Sequence, residues 1–326
     1  MARVPRRQFL HLAAGAAAAS ALSRLAWAQA YPSRPVRLIA GWPPGGSVDF
    51  HARLIGQLLS ERLGQQFIVE NRPGAGGNLG TEAVVRAAPD GYTLLLTAIP
   101  DTINATLYDK LNFNFIRDIT PVAGIVRGPQ ILVVHPAIAP RTLSELIAAI
   151  RANPGKFNMA SAGVGTPGHL AGELLKIIAG LNIQHVPYRG EAPALTNLVG
   201  GQVQAMITSA APSVELIRTG KVRAIAVTTA TRLPALPDVP AIAETIPSYE
   251  VSSWAGVAVP RGTPVQIIDT LNREINAGLA SPAIQAKYAD LGYTMFITSP
   301  AEFGKFIAED TERWATVIRT AGIKPE

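Results

Sequence analysis

Three glycine-rich segments precede helical patterns, and their chemistry is the most informative feature of the sequence. They are Leu38–Asp49, Asn71–Thr81 and Met159–His169. Glycine lets main-chain N–H groups approach a ligand closely, and the N-terminus of a helix adds about half a unit of positive charge. Such loops suit an anion. Because each N–H donated to a carboxylate contributes about 1.5–3 kcal/mol, a few of them can hold a small acid without any arginine.

The same glycines are compatible with tight strand-to-helix turns that bind nothing, and with phosphate-binding loops. None of the three segments contains the G-K-[ST] sequence, which excludes a P-loop. Gly163, Gly165 and Gly168 match the G-x-G-x-x-G spacing of dinucleotide-binding proteins. The chain after the next predicted strand reaches Arg189 without the acidic residue that bonds the ribose hydroxyls. This absence argues against dinucleotide binding, and an exported, dinucleotide-dependent oxidoreductase is kept as the alternative.

The sequence contains few sets of residues that could act together in catalysis. The G-x-S-x-G and H-E-x-x-H motifs are absent. Ser161 and His169 can be considered as a nucleophile and its base, but no orienting carboxylate is evident. Asp49 is expected to cap backbone N–H groups at the start of its helix, and His51 is expected on that helix. The sequence thus predicts no catalytic residues, no metal site and no cofactor.

The composition limits the class of protein. The chain has 326 residues, of which 48% are apolar and 16% charged, with no cysteine and a formal net charge of +6. This length exceeds what one hydrophobic core usually supports, so two lobes are expected. The absence of cysteine excludes disulfides, thiolate nucleophiles, zinc–thiolate sites and lipid attachment through a cysteine. The positive charge, taken alone, favours nucleic acid or a membrane surface.

Residues 1–28 have the pattern of a cleaved export signal. They combine four arginines, no acidic residue, a short apolar run and the cleavage-type sequence Ala26-Trp27-Ala28. Arg6 and Arg7 resemble the twin-arginine export motif, with an ordinary Sec signal as the alternative. Without this segment the chain has 25 basic and 23 acidic residues, or +2. The mature protein is expected to start near Gln29, to lie in the periplasm and to bind no nucleic acid.

Short runs rich in Val, Ile and Leu alternate with helical patterns, which predicts an α/β protein with largely parallel sheets. The predicted strands are Val36–Ala40, Phe67–Glu70, Tyr92–Thr97, Ile131–His135, Asn158–Ser161, Ile183–Val186, Val203–Ile207, Val222–Val227 and Trp254–Val259. Hydroxyl-bearing residues predict helix starts at Thr142, Thr263, Ser281 and Ser299.

Several segments together resemble one known family. They are Pro44–Asp49, Glu70–Gly80, Pro89–Thr93, Ser161–Leu170, Val186–Gly190, Gly220–Thr228 and Leu236–Pro240. In combination they are similar to Bug-type receptors, the extracytoplasmic substrate-binding components of tripartite tricarboxylate transporters. The resemblance extends through the mature chain to Trp314 and Ile323.

The resemblance implies a two-lobed type II periplasmic-binding-protein fold, with a hinge and a ligand cleft between the lobes. Residues 29–130 and 251–326 would form lobe 1, and residues 131–250 lobe 2. The implied function is that of a periplasmic receptor, not an enzyme, that captures a small organic carboxylate and delivers it to transporter membrane subunits. A monomer is expected. A ligand sensor for a signalling kinase is the alternative that shares the same cleft.

The resemblance also implies which residues bind the ligand, through main-chain N–H groups and ordered water. Carried onto this sequence they are Trp42, Gly46, Ser47, Asn78, Thr97, Ser161, Gly165, Thr166, His169 and Tyr188. Two positions depart from the family pattern, Asp101 and Gln204. Asp101 would repel a carboxylate, so either it faces away or the ligand presents another group there.

Overall fold

The computed structural model describes residues 31–108, 110–247 and 249–324. The predicted export signal lies outside these residues. The strands are β1 Val36–Ala40, β2 Phe67–Asn71, β3 Thr93–Ala98, β4 Ile119–Val134, β5 Asn158–Ser161, β6 Gln184–Pro187, β7 Ala205–Ser209, β8 Arg223–Val227, β9 Ser252–Pro260 and β10 Thr294–Met295. The helices are α1 Ser47–Leu63, α2 Asn78–Val85, α3 Ile99–Leu107, α4 Phe115–Asp118, α5 Leu143–Ala152, α6 Pro167–Ala179, α7 Glu191–Val199, α8 Ala210–Arg218, α9 Val265–Leu279, α10 Pro282–Ala289 and α11 Pro300–Ala321.

The strands join in the order β2-β1-β3-β9-β4-β7-β5-β6, with β8 and β10 also paired to β4. The outer strands are parallel: β1 to β2 and β3, and β5 to β6 and β7. The central strands are antiparallel, because β9 runs against both β3 and β4, and β4 runs against β7 and β8. The α/β class is confirmed, whereas the expectation of largely parallel sheets is right at the edges and wrong in the middle.

In the central part of the sheet, the sequence prediction misses most of the long strand β4. The sequence predicts only its last part, because Pro121, Gly124, Gly128 and Pro129 suggest turns. The structure accommodates Pro121 and Gly124 at two irregularities in the pairing with β9. Proline and glycine are tolerated in a strand at such bulges, where the ladder of hydrogen bonds is already interrupted.

β4 changes partners between Pro129 and Gln130. Pro129 lies opposite Ser252 of β9, while Gln130 lies opposite Ser209 of β7. The buried hydroxyl of Thr228 ties the junction together, because it accepts from the Gln130 N–H at 2.9 Å and donates to the Val251 carbonyl at 2.6 Å. The division into lobes at residues 130 and 251 stays a prediction.

Helix α1 illustrates how the apolar pattern builds the core. Ala52, Ile55 and Leu59 are fully buried, and Gly64 ends the helix in a left-handed conformation. The helix packs over β1, β2 and β3. Strands β1 and β3 are almost entirely buried because helices cover both faces of the parallel region. Each fully buried leucine or isoleucine contributes about 1.5–3 kcal/mol.

Three of the four predicted helix caps form. Ser281 accepts from the Ile284 N–H, and Ser299 accepts from the Glu302 N–H. Thr142 accepts from the Glu145 N–H at 3.2 Å, although the Glu145 carboxylate bonds the Arg141 N–H instead of closing a capping box. The prediction of a cap at Thr263 is wrong. The helix begins one residue later than predicted, at Val265, and the Thr263 hydroxyl donates to the Pro260 carbonyl.

Candidate functional site

A small cavity of about 50 Å³ lies where the carboxyl ends of the parallel strands meet. Five N-cap residues line it, one each from α1, α3, α6, α7 and α8: Gly46, Ala98, Thr166, Gly190 and Ser209. These helices follow β1, β3, β5, β6 and β7, so the topology brings their N-termini to one place. The volume has room for a few water molecules.

The charge of the cavity comes mainly from the backbone. Within the described part of the chain, no lysine or arginine lines the cavity, and Glu191 is its one carboxylate. His51 also lines it, but burial lowers the pKa of this imidazole to about 3, so the ring is neutral at pH 7. Each helix N-terminus carries about half a positive charge through its unpaired N–H groups. The cavity is therefore suited to an anion without cationic side chains.

The first glycine-rich loop is held by Asp49. Its carboxylate accepts from the Gly45 N–H at 3.0 Å, from Arg53 Nε at 2.9 Å and from Asn71 Nδ2 at 3.0 Å. Burial opposes the negative charge, but these hydrogen bonds together keep the pKa of Asp49 below its usual value. Asp49 thus binds a backbone N–H, as predicted, but it is that of Gly45 before the helix, and no side chain caps α1 at Gly46. Ser47, in the first turn of α1, lines the cavity.

The second loop lines a wider groove of about 540 Å³ beside the cavity. Gly76 and Gly77 adopt positive φ angles of 65° and 97°, a conformation that side-chain-bearing residues rarely adopt. Asn104 Nδ2 holds the turn by donating to the Gly76 carbonyl at 2.8 Å and to Asn78 Oδ1 at 3.1 Å. Trp42 lines both the groove and the cavity, so the two spaces adjoin.

Two histidines support the third loop from behind. His169 Nδ1 accepts from the Gly165 N–H at 3.1 Å, and Ser161 Oγ lies 2.6 Å from His185 Nε2. The two imidazole rings stack with centroids 4.0 Å apart. Burial lowers the pKa of each to about 4, so both are neutral at pH 7. The pairing of Ser161 with His169 that the sequence suggested is wrong, since the hydroxyl bonds His185.

The ten predicted ligand-binding residues fall into three groups. Trp42, Gly46, Ser47 and Thr166 line the cavity, and Tyr188 lines the groove. The others lie behind these surfaces: Asn78, Thr97, Ser161, Gly165 and His169. For all ten, contact with a ligand stays a prediction.

Asp101 faces away from the cavity. Its carboxylate accepts from Thr81 Oγ1 at 2.7 Å, from Thr97 Oγ1 at 2.8 Å and from the Ala98 N–H at 3.0 Å. Burial raises its pKa, against the effect of these hydrogen bonds. Of the two arrangements considered for Asp101, the structure has the one in which it faces away.

Gln204 is the other position that departs from the family pattern. Its side-chain Oε1 accepts from the Asn158 N–H at 2.9 Å.

Sequence reasoning missed several residues that line the cavity, chiefly Gln130, Glu191, Ser209 and Trp254. Gln130 is 2% exposed, and among the described residues its Nε2 has no hydrogen-bond partner. No local signal marks it, because it lies inside β4. Glu191 follows a glycine at a helix start, a position typical of acidic residues that favour the helix dipole. An acidic residue at this position is therefore expected for the helix alone, and the sequence does not indicate that Glu191 lines the cavity.

Two features are absent from the described ranges. No group of three metal-ligating side chains is positioned to hold a metal ion there. No helix in those ranges is both long and apolar enough to cross a membrane.

Comparison with known proteins identifies the family. The family model described as "Tripartite tricarboxylate transporter family receptor" matches residues 51–323. Protein BugT of Bordetella pertussis is 39% identical over 300 residues, which cover 91% of this chain and 92% of BugT.

Two solved structures of relatives contain dicarboxylates. The structure described as Rpa4515 of R. palustris with adipate has a TM-score of 0.88 and 36% identity, covering 91% of this chain and 100% of that one. MatC from Rhodopseudomonas palustris with bound malate has a TM-score of 0.82 and 32% identity, covering 88% and 100%. The neighbours are periplasmic binding proteins with a two-lobed fold, which confirms the predicted fold class. The chain therefore belongs to the tripartite tricarboxylate transporter receptor family.

Proposed function

We propose that this protein captures a small organic carboxylate in the cavity and delivers it to the membrane subunits of a tripartite tricarboxylate transporter. The observation that carries the proposal is the convergence of five N-cap residues on a space that no lysine or arginine of the described chain lines. A carboxylate is one of the small anions that such N–H donors bind. The proposed role is transport, and no chemical step is assigned to the protein.

The relatives support a carboxylate as the ligand. Rpa4515 was solved with adipate and MatC with malate, and both share the fold of this chain over most of its length. The cavity walls between the helix starts are apolar, with Val48, Met206 and Ile207 among the lining residues. An acid with a short carbon skeleton matches this combination of N–H donors and apolar surface.

The proposed mechanism is closure of two lobes around the ligand, with residues 29–130 and 251–326 in one lobe and residues 131–250 in the other. It is supported by the change of partners of β4 between Pro129 and Gln130. The few residues at such a junction can absorb the backbone change of a hinge. Export to the periplasm and a monomeric receptor belong to the same proposal, as does the absence of a nucleic-acid partner.

A thermal-shift screen of carboxylates tests the proposal. We expect at least one small acid to raise the melting temperature in a concentration-dependent way, because a ligand that binds only the folded state stabilises it. At 100 times the dissociation constant the gain is about 2.7 kcal/mol. NAD⁺ and FAD serve as controls. If a dinucleotide stabilises the protein and none of the acids does, the receptor proposal fails and the oxidoreductase alternative is favoured.

Replacing Gln130 by leucine tests whether the cavity is the binding site. We expect the affinity for the acid found in the screen to fall about 10- to 100-fold, because a hydrogen bond to a charged group contributes about 1.5–3 kcal/mol. Titration calorimetry measures the change. Gln204→Leu is the control, since Gln204 does not line the cavity. Equal affinities for Gln130→Leu and the unchanged protein would place the ligand elsewhere.

A further inference from the structure

The carboxylate of Glu191 lines the cavity and is held there by two helix starts. Its Oε2 accepts from the Ser47 N–H at 2.6 Å, in the first turn of α1. Its Oε1 accepts from the Ser209 N–H at 3.1 Å and also from the Ser209 hydroxyl, before α8. Among the described residues, Oε2 accepts from the Ser47 N–H alone. Because a carboxylate oxygen has two lone pairs, Oε2 can accept one further hydrogen bond.

An unpaired donor lies beside this carboxylate. Gln130 is the direct partner of Ser209 in the antiparallel pairing of β4 with β7. Side chains at such positions project from the same face of the sheet, with Cβ atoms about 4.5–5.5 Å apart. Gln130 is buried and, within the described residues, its Nε2 has no partner. Since the Ser209 hydroxyl bonds Glu191, the free amide donor and the carboxylate are neighbours.

The first turn of α6 packs onto the same part of β7. A Cβ on Gly168 would lie 2.1 Å from the Ile207 carbonyl oxygen and 3.8 Å from Gln130 Oε1. Gly168 and Ile207 both line the cavity. The N–H groups in the first turn of a helix have no partner within the helix. Donors for a ligand carboxylate and the negative charge of Glu191 therefore lie side by side.

The charges around the cavity limit what a ligand can carry. Within the described part of the chain, no lysine or arginine lines the cavity, and His51 is neutral at pH 7. A carboxylate alone would add a second negative charge next to Glu191, in a space with little solvent where like charges repel strongly. A ligand with an ammonium group next to its carboxylate avoids this repulsion, because the ammonium group pairs with Glu191.

We propose that this receptor binds α-amino acids as zwitterions, and that Glu191 confers the selectivity by accepting a hydrogen bond from the α-ammonium group. The ligand carboxylate accepts from Gln130 Nε2 and from the first turn of α6. Both groups of an α-amino acid are attached to one carbon atom, which matches donors and a negative charge that lie side by side. The inference rests on the proposed function and assigns the ligand class within it.

The side chain of the amino acid extends toward the groove. The cavity has a volume of about 50 Å³ and the groove about 540 Å³. Trp42, Pro43 and Ala162 line both spaces. The charged groups therefore take up the cavity, and the groove has room for side chains of different sizes. For this reason the test uses amino acids with different side chains.

Four matched pairs of acids test the assignment by titration calorimetry. They are adipate with 2-aminoadipate, malate with aspartate, propanoate with alanine, and 3-phenylpropanoate with phenylalanine. Each pair differs only at C2, where the amino acid carries the ammonium group. Adipate and malate are the acids in the structures of the two relatives. In at least one pair the amino acid is expected to bind about ten times more tightly than its partner, or better.

Glu191→Gln tests the part played by the carboxylate. The variant is expected to lower the affinity for the amino acid of that pair about tenfold or more, because the amide keeps the shape and loses the charge. It is expected not to weaken the binding of the partner acid, whereas a merely structural role of Glu191 would weaken both. Glu145→Gln is the matched control. It removes a carboxylate from the first turn of α5, where Glu145 bonds the Arg141 N–H at 2.7 Å outside the cavity, and it should leave the ratio unchanged.

The outcomes separate the two proposals. If no amino acid binds the unchanged protein about tenfold more tightly than its partner, the assignment is overturned and the receptor stands. This comparison needs no variant, so it decides even if Glu191→Gln folds poorly. A ratio that is the same in Glu191→Gln as in the unchanged protein overturns the role of Glu191. If none of these acids, nor any acid of the wider screen, binds the unchanged protein, the proposed function itself fails.

Discussion

Lowering the pH from 7 to 4.5 is expected to destabilise the folded protein by about 2–3 kcal/mol through His51 alone. This side chain is 4% exposed, and burial lowers its pKa to about 3 in the folded state. Above about pH 7.5 the ring is almost entirely neutral in both states, so it contributes little pH dependence there. Below pH 6.5 the unfolded chain binds a proton that the folded protein does not, and stability is lost as the pH falls toward the folded pKa.

The contribution of His51 is isolated by comparing the unchanged protein with His51→Gln in urea unfolding at pH 7 and pH 4.5. The advantage of the unchanged protein over the variant should shrink by about 2–3 kcal/mol between the two pH values. Leu58→Ala, which removes buried carbon from the same helix, controls for simple loss of packing and should cost the same at both. A His51→Gln difference that does not change with pH would show that the ring titrates normally in the fold.

The substitution Gly168→Ala is expected to destabilise the protein by about 3 kcal/mol, because it forces α6 away from β7. A Cβ at this position would lie 2.1 Å from the Ile207 carbonyl oxygen and 3.1 Å from its carbon. Both atoms are backbone atoms of a buried strand, so neither can rotate aside. The urea unfolding free energy measures the loss.

Gly172→Ala is the matched control, with the same exchange one turn later in α6. Its Cβ would lie 2.9 Å from Met159 Sδ, the flexible end of a side chain that can move. The control is expected to change stability by less than about 1 kcal/mol, since alanine also favours the helix by a similar amount. Equal stability of the two variants would mean that α6 can move away from β7 without cost.

The elements themselves were largely predictable. Each strand that the sequence predicts occurs within about two residues of its expected bounds, except that β4 begins well before Ile131. Local patterns were sufficient for these strands because a short apolar run between turn residues is typical of a buried strand. They failed in the first part of β4, where prolines and glycines sit at irregularities that depend on the pairing with β9. Whether proline and glycine are tolerated in β4 depends on its pairing with β9, which the local sequence does not show.

The site was predictable only in part. The sequence identified the first and third glycine-rich loops, which line the cavity. They could be recognised because a Gly-rich turn that opens a helix is a local sequence pattern. Ser161 and His169 were also recognised as a polar grouping, but the structure pairs Ser161 with His185, 24 residues away. Sequence spacing could not select the partner, since β5 and β6 bring the two together only by pairing in the sheet.

The sequence by itself determined the α/β class and the family, because each depends on local pattern or on motifs read in combination. Only the tertiary structure decided that five helices begin around one cavity, that Asp101 faces away from it, and that Gln130 and Glu191 face into it. The physical reason is distance along the chain. Ser47 and Glu191 are 144 residues apart, and only the folded sheet brings the N–H of one to the carboxylate of the other.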